Sequence, residues 1–303
     1  MWFKNLTVLR LTEPFALSDN ELEQRLQTKH FRPCGRAEQS TTGWTAPLGR
    51  QARQLVHSSN GFMMVCARRE EKIVPSSVVN EIVSERAAEI EGTQGRQVRR
   101  KERQSLADEV ILDLLPRAFT HSVRTFAYID PKGGWLVIDA ASSKKADELT
   151  ELLRKTLESL PVVPPTPKQR PGAVMTGWLA GESIPGDVTI EDECELRLPE
   201  EEGSTVRCMR QALFSPEIQS HLEAGKEVIK LALTWDDRLS FLLDEQLGIK
   251  RLKFLDILQE QADAADSDDE AGRFDAEFAI MTLELARFLP RLLELFGEEN
   301  TQH

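Results

Sequence analysis

The sequence predicts an α+β protein whose sheets are mostly antiparallel. Short apolar segments follow one another with only turn residues between them, at 123–140 and again at 228–254. The helical patterns stand apart from these strands, at 76–115 and near the end of the chain, instead of alternating with them. Parallel neighbours need a long crossover between successive strands, so this order favours antiparallel pairing.

The N-terminal region combines two strands with a short helix. Apolar residues within 6–11 predict the first strand, and the apolar run 61–67 (GFMMVCA) predicts a buried one. Ser18 and Glu21 have the spacing of a capping box. Leu22 and Leu26 follow one turn apart, so a helix is expected to begin after Ser18.

Residues 76–115 have a helical pattern and form an insertion between strands. Apolar residues recur at helical spacing, at Val79, Ile82, Val83, Ile90, Leu106, Val110 and Leu114. Gly92 and Gly95 interrupt this pattern before the basic run. The segments 123–129 and 135–140 then predict a hairpin around the turn 131–134 (PKGG).

A helix is predicted after Ser143, which can cap it, and this helix carries five leucines. The second half of the chain begins after it. Five prolines between 161 and 171 mark the best domain boundary. We therefore expect three parts: a central domain formed by 1–75 and 120–165, a helical tip domain at 76–119 and a base domain at 166–303.

The base domain is expected to be mixed. Strands are predicted around Val188, Leu196 and Val206, and Ser215 followed by Pro216 predicts the start of a helix. The segments 228–235, 239–243 and 249–254 predict a three-stranded meander. The acidic stretch 263–270 has the composition of a solvated loop, and 274–292 predicts a closing amphipathic helix.

Charge is distributed unevenly along the chain. The formal net charge is −12, yet residues 1–132 hold 20 Lys+Arg against 16 Asp+Glu, whereas residues 133–303 hold 18 against 34. Binding to nucleic acid requires local positive potential, not a positive total. The charge balance therefore leaves a DNA-binding surface possible in the first part of the chain.

Cysteine usage and the N-terminus indicate a cytoplasmic protein. The four cysteines, Cys34, Cys66, Cys194 and Cys208, are far apart and form no CxxC pair, which argues against a zinc site or a disulfide framework. The N-terminal segment lacks the apolar core of a signal peptide. No run approaches the ~18 apolar residues that a membrane span needs, so no membrane partner is expected.

No local motif predicts catalysis, a metal or a cofactor. The sequence contains no phosphate-binding glycine loop and no GxSxG elbow, and no two of its five histidines lie within four residues of each other. Asp236 and Asp237 at a predicted strand end leave a metal-dependent nuclease as an alternative. An acidic module that binds basic proteins is a second alternative.

A basic run between the two apolar stripes of the helical insertion is the main candidate site. It contains Arg96, Arg99, Arg100, Lys101 and Arg103. Four of these are spaced three and four apart, which predicts one helix face suited to a row of phosphates. The alternative is an ordinary solvated face balanced by nearby acids. Further basic candidates are Arg68, Arg69, Lys72, Arg117, Arg124, Lys132, Arg207 and Arg210. No aromatic residue interleaves with the run, so base stacking is not expected from it.

Several segments, in order along the whole chain, resemble the RdgC family. They are 1–6 (MWFKNL), 31–35 (FRPCG), 66–73 (CARREEKI) with Pro75, 114–119 (LLPRAF), 223–226 (EAGK), 230–235 (KLALTW), 250–254 (KRLKF) and 273–278 (RFDAEF). No single segment is decisive, but the ordered set is highly specific.

The resemblance implies a horseshoe-shaped subunit, two of which close into a ring whose basic inner wall surrounds duplex DNA. It implies binding to single and double strands without sequence preference, and antagonism of the recombinase RecA by occupation of its DNA. It implies no catalytic centre and no cofactor, and a nucleoid-associated location. The helical tip would meet its twin in a homodimer near Phe119, although a place for Phe119 in an ordinary core is an open alternative.

Overall fold

The computed structural model describes residues 1–49, 52–200, 203–263 and 270–297. These residues form an α+β fold, as predicted. The strands are β1 (Leu6–Leu11), β2 (Ser40–Thr45), β3 (Val56–Ser59), β4 (Phe62–Lys72), β5 (Thr120–Asp130), β6 (Trp135–Asp139), β7 (Val162–Val163), β8 (Val188–Arg197), β9 (Thr205–Met209), β10 (Glu227–Trp235), β11 (Leu239–Asp244) and β12 (Ile249–Phe254). The helices are α1 (Asp19–Gln27), α2 (Ser76–Gln94), α3 (Arg100–Leu114), α4 (Ser143–Leu157), α5 (Pro171–Leu179), α6 (Pro216–Glu223), α7 (Asp256–Asp263) and α8 (Glu270–Glu294).

All these strands belong to one sheet, and each named strand pair is antiparallel. The strand order is β2-β4-β5-β6-β1-β12-β11-β10-β8-β9, with β3 added to β4 and β7 added to β1. The longest ladder joins β4 to β5, from Met63 opposite Ile129 to Lys72 opposite Thr120. Strands β1 and β12 join the N-terminal and C-terminal parts of the sheet, at the single registered pair of Leu6 and Ile249.

Two apolar cores lie on opposite faces of the N-terminal part of the sheet. On one face, α1 and α4 bury Leu22, Leu26, Leu149 and Leu153 against the strands. The other face continues into a larger core that includes α5, α6, α7 and α8. Full burial of each such leucine contributes roughly 1.5–3 kcal/mol. The alternation of side chains along β4 and β5 therefore supplies both cores at once.

Helices α2 and α3 form an insertion between the paired strands β4 and β5. Their own core is small and centres on Val79, Val83 and Val110. Gly95 ends α2 with a φ of 60°, in the left-handed region that glycine adopts without steric cost. A short 3-10 helix at Leu115–Arg117 leads back into β5.

Several predicted elements are confirmed. Ser18 and Glu21 form the predicted capping box, and the β5–β6 hairpin and the β10–β12 meander form where turn residues separate apolar runs. Helix α8 contains the predicted closing helix and buries Phe278 and Leu285. Among the described residues, no helix combines the length and apolar character that crossing a membrane requires.

Other predictions were wrong in detail. Val188 and Leu196 lie in one strand, β8, whose pairing with β10 shifts register twice and so blurs the alternation in sequence. The cap position of α4 is Ser142, not Ser143. Helices α5 and α7 were not predicted, because α5 follows directly on the proline-rich segment and α7 is short. Most of the predicted acidic loop, at 264–269, lies outside the described residues.

Candidate nucleic-acid interface

The predicted basic run is not one helix face. Helix α3 begins at Arg100, with Arg99 as its N-cap residue, and Arg96 lies in the connection after Gly95. The prediction that Arg96 and Arg99 share a helix face with Arg100 and Arg103 was therefore wrong. The physical reason is the left-handed Gly95, which ends α2 and turns the chain before α3 starts.

Arg96 is held by a carboxylate. Its Nη1 and Nη2 atoms donate to the two carboxylate oxygens of Glu102, each at 2.7 Å. Hydrogen bonding to Arg96 is the main cause that lowers the pKa of Glu102, and the same contact raises the pKa of Arg96. This bidentate pair closes the connection between the two helices, so Arg96 supplies little free charge.

The remaining basic residues of the run form a cluster of free charge, which we name the tip cluster: Arg99, Arg100, Lys101 and Arg103. All four are exposed, and none forms an ion pair with another described residue. Cations in the first turn of a helix are disfavoured, because the N-terminal end of the helix carries partial positive charge. An anion bound there would relieve this repulsion, and a phosphate backbone supplies such anions in a row.

A second pair of basic candidates, Arg68 and Arg124, lies on the sheet, and we name it the arginine pair. The two residues stand directly opposite each other on β4 and β5. The guanidinium carbon of Arg68 lies 4.2 Å from the ring centroid of Phe31, and that of Arg124 lies 5.0 Å from the centroid of Phe126. Each guanidinium therefore rests on an aromatic ring.

The arginine pair is fixed by hydrogen bonds as well as by the rings. Arg68 donates through Nη2 to Ser122 Oγ at 3.0 Å and to Glu70 Oε2 at 3.3 Å. Arg124 donates to the carbonyl oxygens of Ala46 and Pro47. These contacts offset the repulsion expected between like charges on opposed residues.

Glu70 connects the arginine pair to the segment that carries Phe31. It is buried, and its Oε1 atom accepts from the backbone N–H of Cys34 at 2.9 Å. This backbone hydrogen bond, followed by those from Ser122 and the charge of Arg68, lowers the pKa of Glu70 despite the opposing effect of burial. Glu70 therefore stays ionised and holds the Phe31 segment and Arg68 together.

The other predicted basic residues are scattered. Arg69 forms ion pairs with Glu71 and Glu148, and Lys72 donates to the carbonyl oxygens of Arg36 and Leu115. Arg117 and Lys132 are exposed, and neither forms an ion pair with another described residue. Arg207 pairs with Glu193, and Arg210 is exposed just beyond β9. Because β9 is at the far end of the sheet from β4, the last two do not join the others.

Phe119 lies on the surface next to a cavity. Its side chain is 85% exposed, which excludes the alternative that it belongs to an ordinary core. Its carbonyl oxygen accepts from the N–H of Ile73, which precedes a residue of the cavity wall. The cavity has a volume of about 330 Å³. Val74, Val79, Ile111 and Leu115 form the apolar part of its wall, and the rest of the lining is polar or charged.

Asp236 and Asp237, the residues of the nuclease alternative, lie in a turn near arginine side chains. Asp236 and Asp237 occupy the β10–β11 turn with φ angles of 51° and 50°, and Arg287 lies 3.9 Å from Asp236. The neighbouring Arg238 donates to both carboxylate oxygens of Glu284 at 2.7 Å. Within the described ranges, no group of three or more His, Cys, Asp or Glu side chains is arranged to hold a metal ion. The four cysteines are free thiols.

The sequence did not point to Phe31 and Glu70 as partners of the basic residues. Phe31 lies 37 positions before Arg68, and only the fold brings the two together. Phe126 was detectable, because residues two apart on a strand share a face and Arg124 precedes it by two.

Comparison with known proteins assigns the chain to a family. A family model described as "Putative exonuclease, RdgC" matches residues 1–299. Three relatives carry the name recombination-associated protein RdgC. The one from Tolumonas auensis is 47% identical over 302 residues and 100% of both chains. Those from Aeromonas hydrophila and Pseudomonas aeruginosa are 47% and 48% identical over 299 and 300 residues, which cover 99% of this chain and 99% and 98% of theirs. The chain therefore belongs to the RdgC family of recombination-associated proteins.

Proposed function

We propose that this protein binds duplex and single-stranded DNA without sequence preference. As a homodimer it encircles duplex DNA and restrains RecA-promoted recombination by occupying the DNA that RecA needs. It acts in the cytoplasm, at the nucleoid, without a catalytic step or a cofactor. The observation that carries this proposal is the tip cluster, in which four exposed basic residues follow one another closely in the chain and form no ion pair with another described residue.

The charge distribution explains why binding must be local. A chain with a net charge of −12 is repelled by DNA at long range. Attraction has to come from a dense basic surface acting within the screening length of about 8 Å at physiological salt. Flexible arginine and lysine side chains on an exposed helix end suit phosphates of any sequence. The relatives' names connect the family with recombination, a process that acts on DNA.

Competition between unrelated duplexes of equal length tests the lack of sequence preference. A site-specific protein discriminates by a factor of roughly 10³ or more. We expect affinity ratios well below about 10 across unrelated sequences, together with a steep fall of affinity as salt rises. A strongly preferred sequence, or binding that salt leaves unchanged, would refute the proposal.

Phe119 and the adjacent cavity support the homodimer. In a two-fold dimer the same patch serves both subunits, so the exposed Phe119 of each subunit can enter the cavity of the other, where Val74, Val79, Ile111 and Leu115 form the apolar part of a mixed lining. A Phe119→Ala substitution removes the inserted group, and Asn80→Trp fills the cavity from its rim. Both variants should shift the mass measured by light scattering towards that of a monomer at low micromolar concentration.

The matched control for this experiment is Phe214→Ala, because Phe214 is also an exposed aromatic residue, at 55%, and lies outside the helical insertion. It should leave the dimer intact. If the wild-type protein itself has the mass of one subunit throughout the micromolar range, the dimer proposal fails. If Phe214→Ala dissociates the dimer and Phe119→Ala does not, the interface lies elsewhere.

A nuclease is the second candidate function, because the matching family model is described as an exonuclease. Incubation of an end-labelled duplex and a single strand with the protein and Mg²⁺ tests it directly. We expect both strands to remain intact while the protein binds them. Shortening of either strand that an Asp236→Asn, Asp237→Asn variant abolishes would establish catalysis and refute the non-catalytic proposal.

A further inference from the structure

We propose that the arginine pair is a stacking site for the unpaired bases of single-stranded DNA, separate from the tip cluster. This inference rests on the proposed function, because it assumes that the protein binds DNA. It specifies which surface distinguishes a single strand from a duplex. The observation behind it is that two guanidinium groups on opposed residues of β4 and β5 each lie over an aromatic ring.

Both guanidinium groups combine contact with an aromatic ring and exposure to solvent. Each guanidinium is backed by a ring on one side, Phe31 under Arg68 and Phe126 under Arg124. The side chain of Arg68 is 25% exposed, and Arg124 is an exposed residue, so solvent reaches both groups. Ser122 on the same face is also exposed. Guanidinium planes held in this way are known surfaces for the stacking of unpaired bases.

The hydrogen bonds of the pair favour bases over phosphates as the ligand. Arg68 uses Nε and Nη2 on Ser122 and Glu70, and Arg124 uses Nη2 on two backbone carbonyls. These in-plane contacts occupy two nitrogens of Arg68 and one of Arg124, whereas stacking uses the face of the group. The nearby carboxylate of Glu70 also repels a phosphate. The face of a guanidinium group suits a base that is not already stacked within a duplex.

The two arginines can serve different nucleotides of the same strand. Opposed residues on antiparallel strands have Cβ atoms about 4.5–5.5 Å apart. From these anchor points Arg68 extends towards Glu70 and Ser122, whereas Arg124 extends towards Phe126 and Ala46, so the two guanidinium groups can contact two separate bases of one flexible strand. Stacking of this kind is tolerant of sequence, because every base has a π-face. The site therefore agrees with binding that lacks sequence preference.

Substitution by lysine tests the inference, because lysine keeps the charge and loses the planar group. We compare the Arg68→Lys, Arg124→Lys variant with the wild type by fluorescence anisotropy. The ligands are a thymidine oligonucleotide, a blunt duplex with the same number of phosphates, and an abasic strand of equal length. We expect an approximately tenfold loss of affinity for the thymidine strand. Affinities for the duplex and the abasic strand should be unchanged.

The matched control is Arg287→Lys, because Arg287 also lies over an aromatic ring, that of Trp235, in the C-terminal half of the chain. It should leave all three affinities unchanged. Phe31→Leu is an independent variant that removes the ring under Arg68 without changing a charge. It should lower the affinity for the thymidine strand alone. Thermal melting of each variant establishes that it is folded before it is compared.

Equal losses for all three ligands, or no loss in the folded lysine and Phe31→Leu variants, would overturn the stacking site while the proposed DNA binding remained. Failure of the wild-type protein to bind the duplex would instead refute the proposed function itself. The two failures are distinguished by the wild-type duplex measurement alone.

Discussion

The tip cluster and the arginine pair are both basic, yet their surroundings differ. The four side chains of the tip cluster are exposed at a helix end and form no ion pair with the described residues. The two arginines of the pair lie on rings and donate to Ser122, Glu70 and backbone carbonyls. Free charges are suited to neutralise phosphates in any geometry, whereas fixed planar groups are suited to a ligand of defined shape. Counting basic residues would not separate these two roles.

The largest expected effect is the loss of duplex affinity when the tip cluster is neutralised. Replacing Arg99, Arg100 and Arg103 by Gln preserves helix propensity. Log affinity falls with log salt, and each lost phosphate contact makes this dependence less steep by about 0.9. The loss of three contacts therefore corresponds to a roughly 100-fold lower duplex affinity near physiological salt. A salt titration by fluorescence anisotropy measures both quantities.

The control for the tip cluster replaces three other basic residues, Arg25, Arg154 and Lys155, by Gln. They lie on α1 and α4, which cover the face of the sheet opposite the arginine pair. This control should change neither the slope nor the affinity appreciably. Equal effects of the two triple variants would show that the tip cluster is an ordinary solvated surface.

A smaller effect is expected on protein stability when the hydrogen bonds around the arginine pair are disturbed. Glu70→Gln keeps the shape of the side chain and removes the charge that accepts from Cys34, Ser122 and Arg68. Hydrogen bonds to a charged group contribute about 1.5–3 kcal/mol, so we expect the free energy of unfolding to fall by about 2 kcal/mol. Urea denaturation measures it. Glu102→Gln, next to the tip cluster, should leave stability nearly unchanged. If Glu102→Gln destabilised the protein more than Glu70→Gln, the tip cluster and not the arginine pair would be the rigidly held region.

The contribution of Glu70 to stability should depend on pH. The hydrogen bond from Cys34 is the main cause that lowers its pKa below the ordinary value, so the folded protein favours the ionised form. The stability difference between the wild type and Glu70→Gln should be complete above the ordinary glutamate pKa of about 4.3 and should shrink as pH falls through the lower native pKa. Urea denaturation from pH 7 to pH 3 measures this difference. If the stability difference between the two proteins grew at low pH, the conclusion that the folded protein favours ionised Glu70 would be contradicted.

Much of the fold follows from the sequence, but the contacts of the site do not. Ser18 and Glu21 are three residues apart, and the β10–β12 meander consists of neighbours in sequence, so local patterns predicted both correctly. The tip cluster was found as a run, although Gly95 changes its geometry. The stack of Phe31 on Arg68 depends on tertiary packing, and no local periodicity encodes it.

The smallest expected effect is a gain of affinity. Glu102→Gln removes the carboxylate that holds Arg96, and so converts a paired arginine into one that resembles the tip cluster. One additional phosphate contact corresponds to a roughly fivefold higher duplex affinity near physiological salt. The measurement is a salt titration beside Glu109→Gln, which removes an exposed carboxylate further along α3. If both variants gain equally, general charge and not the release of Arg96 explains the increase.

The central claim is that the two basic surfaces contribute differently, and a single set of titrations tests it most directly. The Arg99, Arg100, Arg103→Gln variant and the Arg68, Arg124→Lys variant are each titrated with a duplex and with a thymidine strand that carry equal numbers of phosphates. The account predicts that the first variant lowers affinity for both ligands and flattens both salt slopes, while the second lowers affinity for the single strand alone. If each variant scales the two affinities by the same factor, the surfaces have no separate roles and the account is contradicted.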